Sequence, residues 1–167
     1  MFAEKIETER LLLRPWVRAD APECARLIGD IAVSRWLTVV PHPYGVADAL
    51  DFIENGDLDG GYCIEIDGQV AGGIGVKGHL GYWLGVGFWG QGYMSEAAPA
   101  VVAEWFSHGD GELESGYFVG NEGSKRILAG LGFRGADIVP TVSAATGLAK
   151  PLQEMLLSRG DWQARNA

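Results

Sequence analysis

A glycine-rich segment at residues 81–98 limits the possible folds of this 167-residue chain more than any other part of it. It starts as an aromatic and apolar strand, passes four glycines between 85 and 92, and continues into a predicted helix from about Gln91 to Ser107. The first turn of a helix presents backbone N–H groups without intrahelical partners, at the positive end of the helix dipole. Glycines there cost about 1 kcal/mol each relative to alanine, and close approach of a ligand is the simplest compensation. The segment therefore predicts a phosphate or pyrophosphate site.

The length predicts a single domain, 1–167, with a hydrophobic core of its own. No internal repeat, low-complexity segment or linker interrupts it. The formal charge of −9 argues against general affinity for nucleic acid or for anionic membranes. An acidic surface either attracts a cationic substrate such as an amine or only keeps the protein in solution, and the charge does not separate these alternatives.

The two cysteines, Cys24 and Cys63, are far apart and have neither disulfide-framework nor zinc-ligand spacing. We therefore expect no metal, and a reduced, cytoplasmic setting. The first seven residues are too charged for a signal peptide, and no apolar run approaches the roughly 20 residues of a membrane span.

Periodicity and turn signals predict the order β-α-α-α-β-β-β-α-β-α-β-β. The predicted fold class is α/β, with a mixed, mostly antiparallel sheet of about seven strands and helices on both faces. Asp67-Gly68 between two strand-like runs is a strong hairpin signal. Asp20 is the expected N-cap of the first helix. The predicted strands are Arg10–Pro15, Tyr62–Ile66, Gln69–Val76, His79–Leu84, Glu112–Val119, Ile138–Ser143 and Leu152–Ser158, and the other predicted helices are Ile31–Leu37, Val46–Asn55 and Gly123–Ala129.

One alternative for the glycine-rich segment is a dinucleotide site, because residues 85–90 match G-x-G-x-x-G. That fingerprint belongs to the first strand, turn and helix of a parallel βαβ unit. Here it lies in the middle of the chain, after a hairpin, and the next strand ends at Tyr117-Phe118-Val119 without an acidic residue for a ribose. The context therefore disfavours a nicotinamide or flavin site.

Read from Trp89, the segment WGQGYM resembles the acetyl-CoA pyrophosphate loop, Q/R-x-x-G-x-G/A, of the GNAT acyltransferases, with Trp89 and Met94 departing from the strict pattern. Further matching pieces occur in order from about residue 7 to 163. They are ETERLLLRP at 7–15, PHPY at 41–44, GYWL at 81–84, GNEGS at 120–124, LAGLGF at 128–133 and RGDW at 159–162. Together they resemble the branch of ribosomal-protein-alanine N-acetyltransferases.

The resemblance implies a bulge near residues 84–86 that splays this strand from its neighbour, and pairing of strand backbone with the pantetheine arm. Asn121 is either a helix cap or a contact to that arm, and Trp83 is either core or cleft wall. Lys125 and Arg126 are placed to approach the CoA phosphates or to remain solvated. The implied CoA-binding residues are Trp83, Leu84, Gly85, Val86, Trp89, Gly90, Gln91, Gly92, Tyr93, Met94, Ser95, Asn121 and Ser124.

The resemblance also implies catalytic roles. His79 stands where many relatives carry a glutamate base, and the alternative, which the residues alone favour, is a surface histidine at the end of a strand. Ser124 matches a serine near the CoA sulfur, and Tyr117 is a further candidate proton donor. His42 and Tyr44, in the proline-bracketed loop, would line the acceptor mouth.

The function implied is transfer of an acetyl group from acetyl-CoA to a primary amine by direct attack. The amine belongs to a small molecule or to a protein N-terminus, such as that of a ribosomal protein, and the enzyme is a monomer or homodimer. The alternative is a CoA-binding regulatory module that keeps the fold without catalysis, since the usual glutamate is absent at position 79.

Overall fold

Eight strands form two antiparallel sheets in the computed structural model of the chain, which describes residues 1–109 and 111–167. The first sheet has the order β1-β2-β3-β4-β5, and its strands are Ile6–Glu7, Leu12–Arg14, Gly61–Ile66, Gln69–Val76 and Leu80–Leu84. The second has the order β6-β8-β7, with β6 at Leu113–Phe118, β7 at Arg134–Val142 and β8 at Ala149–Leu157. The α-helices α1 to α6 are Ala21–Ile28, Ile31–Ser34, Val46–Asn55, Tyr93–His108, Glu122–Leu131 and Arg159–Arg165.

The hairpin between β3 and β4 is the one that the sequence predicts. Asp67 and Gly68 both have positive φ, 50° and 77°, as a two-residue turn of the primed type requires. Pairing runs from Ile66↔Gln69 to Gly61↔Gly75, with a register shift of one residue between Ile64 and Glu65.

Helices pack on both faces of the first sheet. Neighbouring residues of a strand point to opposite faces, and Cys63 and Ile64 lie in different hydrophobic clusters. Ile64 is buried with Ala97 and Val101 of α4, and Cys63 is buried with residues of α1. The predicted fold class is therefore confirmed, with eight strands in two sheets.

Several element boundaries differ from the predicted ones. Helix α4 begins at Tyr93, not Gln91, because Gly92 has the left-handed φ of 80° that precedes the helix. Helix α2 ends at Ser34, and the chain up to Leu37 continues as tighter turns. Strands β7 and β8 begin earlier than predicted, and the sequence analysis missed β1 and α6.

The predicted N-cap position of Asp20 is confirmed, but its side chain has a different role. Asp20 occupies the N-cap position of α1, but its side chain makes no hydrogen bond to that helix. Its carboxylate instead accepts hydrogen bonds from Arg14 Nη1 at 2.8 Å and from the backbone N–H of Val17 at 2.9 Å. The nearby guanidinium explains this, because a buried carboxylate is stabilised more by a charged donor than by a backbone amide. Among the described residues, no helix is both long and apolar enough to cross a membrane.

Candidate active site

Strands β5 and β6 bring the two sheets together at one end only. His79 and Glu114 pair in parallel there, the backbone N–H of Glu114 donates to Gly78 O at 2.9 Å, and Ser115 Oγ donates to Leu80 O at 2.8 Å. Beyond this seam β5 follows the first sheet and β6 the second, so the two strands separate. The separation opens a cleft between the sheets.

A cavity of about 740 Å³ occupies the cleft. One wall comes from α2 and the residues after it, and the opposite wall comes from the start of α4 and the start of α5. The lining residues are Val33, Trp36, Leu37, Thr38, His79, Leu80, Gly81, Tyr82, Leu84, Phe88, Trp89, Gly90, Gly92, Tyr93, Met94, Ser95, Gly116, Tyr117, Asn121, Gly123, Ser124, Arg126, Ile127 and Leu152. The cavity is therefore bounded by helices from both faces of the sheet.

The open edge of β5 presents backbone groups to this cavity. The N–H of Gly85 donates to Ala71 O of β4 at 2.9 Å. In an antiparallel pair the backbone groups of alternate residues point the same way, so the N–H and C=O groups of the odd-numbered residues of β5 point toward β4. The N–H and C=O groups of the even-numbered residues point away from β4. The carbonyl of Leu84 is an example, because it accepts a hydrogen bond from Trp89 Nε1 at 2.8 Å. The N–H groups of Tyr82 and Leu84 therefore point into the cleft and are available to a ligand.

The regular pairing of β4 with β5 extends from Val76↔Leu80 to Gly72↔Leu84 without a register shift. The predicted bulge near residues 84–86 is therefore wrong. A 3₁₀ turn over Val86–Phe88 ends the strand instead. Strands β5 and β6 separate because the sheets to which they belong diverge beyond the contact at His79 and Glu114. No irregularity inside β5 is involved.

The loop that follows delivers the chain to the N-terminus of α4. Gly90 and Gly92 have φ of 70° and 80°, values that side chains on L-residues disfavour. Gly92 supplies no side-chain cap, and the N–H of Glu96 is the donor to its carbonyl. The N–H groups of Tyr93, Met94 and Ser95 are thus directed out of the helix end toward the cavity.

Arg10, which the sequence analysis missed, braces this loop. Its Nη1 donates to Gln91 O at 2.9 Å, and its Nε donates to Glu96 Oε2 at 2.7 Å. Its guanidinium also lies 4.6 Å from the centroid of the Tyr93 ring. Because Glu96 neutralises Arg10, this contact fixes the loop more than it adds positive charge.

A hydrogen-bonded group of side chains crosses the cavity between β5 and α5. The hydroxyl oxygens of Tyr82 and Ser124 are 2.7 Å apart, and Asn121 Oδ1 accepts from the N–H of Ser124 at 3.3 Å. Burial raises the pKa of Tyr82 to about 12, with its hydrogen bond to Ser124 acting in the opposite direction. Tyr82 is therefore a neutral phenol near neutral pH. The sequence analysis did not place it in the site.

His79 lies at the rim of the cavity, on the same face of β5 as Gly81. Its side chain keeps contact with solvent, yet partial burial lowers its pKa below the ordinary value, and the Glu114 carboxylate acts in the opposite direction. The imidazole is therefore mainly neutral at pH 7 and able to accept a proton.

The structure brings most of the predicted site residues to this cavity, Tyr117 included. Trp83 lies elsewhere, with its ring stacked on Trp16 at a centroid distance of 6.4 Å. The Gln91 side chain bonds within the loop, to Gly87 O at 3.0 Å. His42, Tyr44, Gly85 and Val86 also lie outside the set of residues that line the cavity. Their predicted contacts with ligands stay predictions.

The side chain of Asn121 caps α5. Substitutions can distinguish this capping role from a contact between Asn121 and a ligand. An Asn121→Ala variant should lose about 1 kcal/mol of the free energy of unfolding, because the N–H of Ser124 loses its acceptor. Asn121→Asp keeps the acceptor and should keep stability, whereas the exposed Asn55→Ala should change little. Urea unfolding measures the free energy of unfolding of all three variants. A normal affinity for CoA in Asn121→Asp would limit Asn121 to the capping role.

The sequence model of a protein family, described as the acetyltransferase (GNAT) domain, matches residues 10–134 of this chain. The chain therefore belongs to the GNAT family of acetyltransferases.

Solved structures of GNAT proteins are similar to this chain. An acetyltransferase of the GNAT family from Bacillus anthracis is 17% identical, with a TM-score of 0.79 over 92% of this chain and 98% of the other. The ribosomal L7/L12 α-N-protein acetyltransferase RimL, in complex with coenzyme A, is 19% identical, with a TM-score of 0.78 over 93% and 98%. The self-immunity acetyltransferase MccE, in complex with acetyl-CoA and AMP, is 18% identical, with a TM-score of 0.77 over 90% and 93%. No match was found among curated protein sequences.

Proposed function

We propose that this chain acetylates a primary amine, with acetyl-CoA as donor and without a covalent enzyme intermediate. The observation that carries the proposal is the cleft beside β5, which has the open end of α4 at one mouth and the α2 wall at the other. A donor and an acceptor can therefore meet from opposite sides of the sheet.

Acetyl-CoA is proposed to enter from the α4 side. Its diphosphate would accept hydrogen bonds from N–H groups between Gly90 and Ser95, where the helix dipole favours negative charge. The N–H of Trp89 already donates to Val86 O at 3.2 Å. Its pantetheine arm would pair with the N–H groups of Tyr82 and Leu84 along the open edge of β5. Arg126, which lines the same wall, is suited to the remaining phosphate. The acetyl-CoA and coenzyme A complexes of MccE and RimL support acetyl-CoA as the donor.

The acceptor is proposed to enter from the opposite side, along Val33, Trp36, Leu37 and Thr38. RimL, with its similar fold, is an α-N-protein acetyltransferase of ribosomal L7/L12. That likeness favours a protein N-terminus as acceptor, which we propose for this chain, with the loop of His42 and Tyr44 as a more distant contact.

The proposed chemistry uses groups that face the cavity. His79 removes a proton from the acceptor nitrogen as the nitrogen attacks the thioester carbon. The N–H of Leu84 is suited to the developing oxyanion, and the Ser124 hydroxyl to the departing sulfur, with Tyr117 as a second donor nearby. Burial raises the pKa of both Cys24 and Cys63 to about 12, and both lie in the cluster packed around α1. Neither thiol is therefore suited to carry the acetyl group.

Calorimetry with CoA and acetyl-CoA, followed by turnover with a panel of amines, polyamines and N-terminal peptides, tests the proposal. Gly90→Ala should weaken CoA binding at least about tenfold, because the methyl group enters the space over the loop. Gly147→Ala is the matched control, since these glycines have φ of 70° and 69° and neither would bring a Cβ within 4 Å of another atom. Binding without any product would favour the regulatory module, and no binding would overturn both hypotheses.

A further inference from the structure

The proposed chemistry gives no role to the Tyr82 hydroxyl, although Tyr82 lines the cavity. It is held on β5, 42 residues before Ser124 in the chain, and the two hydroxyl oxygens are 2.7 Å apart. Both side chains line the cavity and are half-buried. A phenylalanine would fill the same volume, so packing alone does not require the hydroxyl group.

The direction of this hydrogen bond follows from chemistry and geometry. A phenol is a much stronger acid than an aliphatic alcohol, so Tyr82 is the better donor of the two. The Tyr82 hydroxyl also lies 3.4 Å from the backbone carbonyl oxygen of Ser124, which can only accept. The phenol has one proton to donate, and the 2.7 Å contact with Ser124 Oγ is the shorter of the two, so it is the hydrogen bond that Tyr82 makes. The Ser124 hydrogen is then left to point elsewhere, into the cavity.

Two further contacts fix the two partners of this hydrogen bond, one at Ser124 and one at Tyr82. Its N–H donates to Asn121 Oδ1 at 3.3 Å, at the capped start of α5. Tyr82 itself is held by pairing of β5 with β4 at Ile74↔Tyr82. The serine hydroxyl is thus supported from β5 and from its own helix, so that little reorganisation is needed when charge develops beside it.

We propose that Tyr82 is a positioning residue, which orients the Ser124 hydroxyl so that it donates a hydrogen bond to the sulfur of CoA as the C–S bond breaks. This inference rests on the proposed function. The electron pair of the broken bond goes to sulfur, while the acceptor nitrogen loses a proton to His79. The thiolate then takes up one proton from solvent and protonated His79 releases one to solvent, so the products are the N-acetylated amine and CoA thiol and His79 is neutral again. Tyr82 keeps its own proton throughout and polarises the serine.

A double-mutant cycle tests this role. Single-turnover rates are measured with acetyl-CoA and the peptide of the panel that reacts fastest with the wild-type protein. Ser124→Ala should slow the chemical step about 10- to 100-fold and Tyr82→Phe about tenfold, with the affinity for acetyl-CoA little changed. In the Ser124→Ala background, Tyr82→Phe should have no further effect, because it acts through the serine.

Tyr62→Phe is the matched control. Tyr62 is also a buried tyrosine of the first sheet, and its hydroxyl donates to Ala3 O at 2.8 Å, away from the cavity. It should lose a similar amount of stability to Tyr82→Phe and none of the single-turnover rate. Additive rate losses in the double mutant, or an unchanged rate in Tyr82→Phe, would overturn the positioning role. A wild-type protein that transfers no acetyl group would instead overturn the proposed function.

Discussion

A His79→Gln variant is expected to lower kcat about 100-fold or more and to abolish the acidic limb of the pH–rate profile. General-base catalysis by a positioned side chain contributes about 100- to 10,000-fold, and glutamine cannot accept the proton. The wild-type rate should fall as the pH falls through the pKa of His79, because only the neutral imidazole is a base. Burial lowers that pKa, so the limb should lie below the ordinary histidine value of about 6.5.

Two further variants make the assignment of this limb specific. Glu114 raises the pKa of His79 by its charge, so Glu114→Gln should move the limb to still lower pH. His108→Gln is the control, because His108 lies at the far end of α4, where its Nε2 is 2.9 Å from Glu104 Oε1. The profiles are measured as kcat at saturating acceptor. An acidic limb that survives unchanged in His79→Gln would exclude His79 as the base.

A Ser95→Asp variant is expected to bind CoA about 30-fold more weakly and yet to be no less stable than the wild-type protein. Ser95 is exposed in the first turn of α4, where a carboxylate interacts favourably with the helix dipole. The same carboxylate would lie near the bound diphosphate, and like charges about 8 Å apart repel by about 2 kcal/mol near a protein surface, which is a factor of about 30 in Kd. Stability and ligand affinity should therefore change in different directions.

Calorimetry and thermal unfolding of the same Ser95 variants measure the two effects. Ser95→Asn has nearly the same shape as Ser95→Asp without its charge, so it separates repulsion from bulk. The difference in Kd between them should shrink as salt is added, because ions screen the repulsion. Equal affinity of Ser95→Asp and the wild-type protein for CoA would show that the diphosphate does not lie at this helix end.

The parts that the sequence predicted well are local ones. The hairpin at Asp67-Gly68 and the glycine-rich entry to α4 depend on backbone conformations that few residues other than glycine adopt, so the residue types are informative by themselves. These features need no knowledge of distant segments.

The parts that it missed depend on residues that are far apart in the chain. Arg10 and Glu96 are separated by 86 positions, and neither carries a pattern that names the other. Periodicity also cannot show that β5 and β6 separate, since the separation follows from which sheet each strand joins.

Strands β5 and β6 are in contact near His79 and Glu114 and then separate, and this has a consequence for the stability of the protein in the cell. A coenzyme lying between the sheets would join them at the end where the strands diverge, and a ligand that binds only the folded state stabilises it in proportion to RT ln(1 + [L]/Kd). At a hundredfold excess over Kd this amounts to about 2.7 kcal/mol. We expect the unloaded protein to be degraded sooner by proteases than the loaded one, so that its abundance follows the supply of acetyl groups.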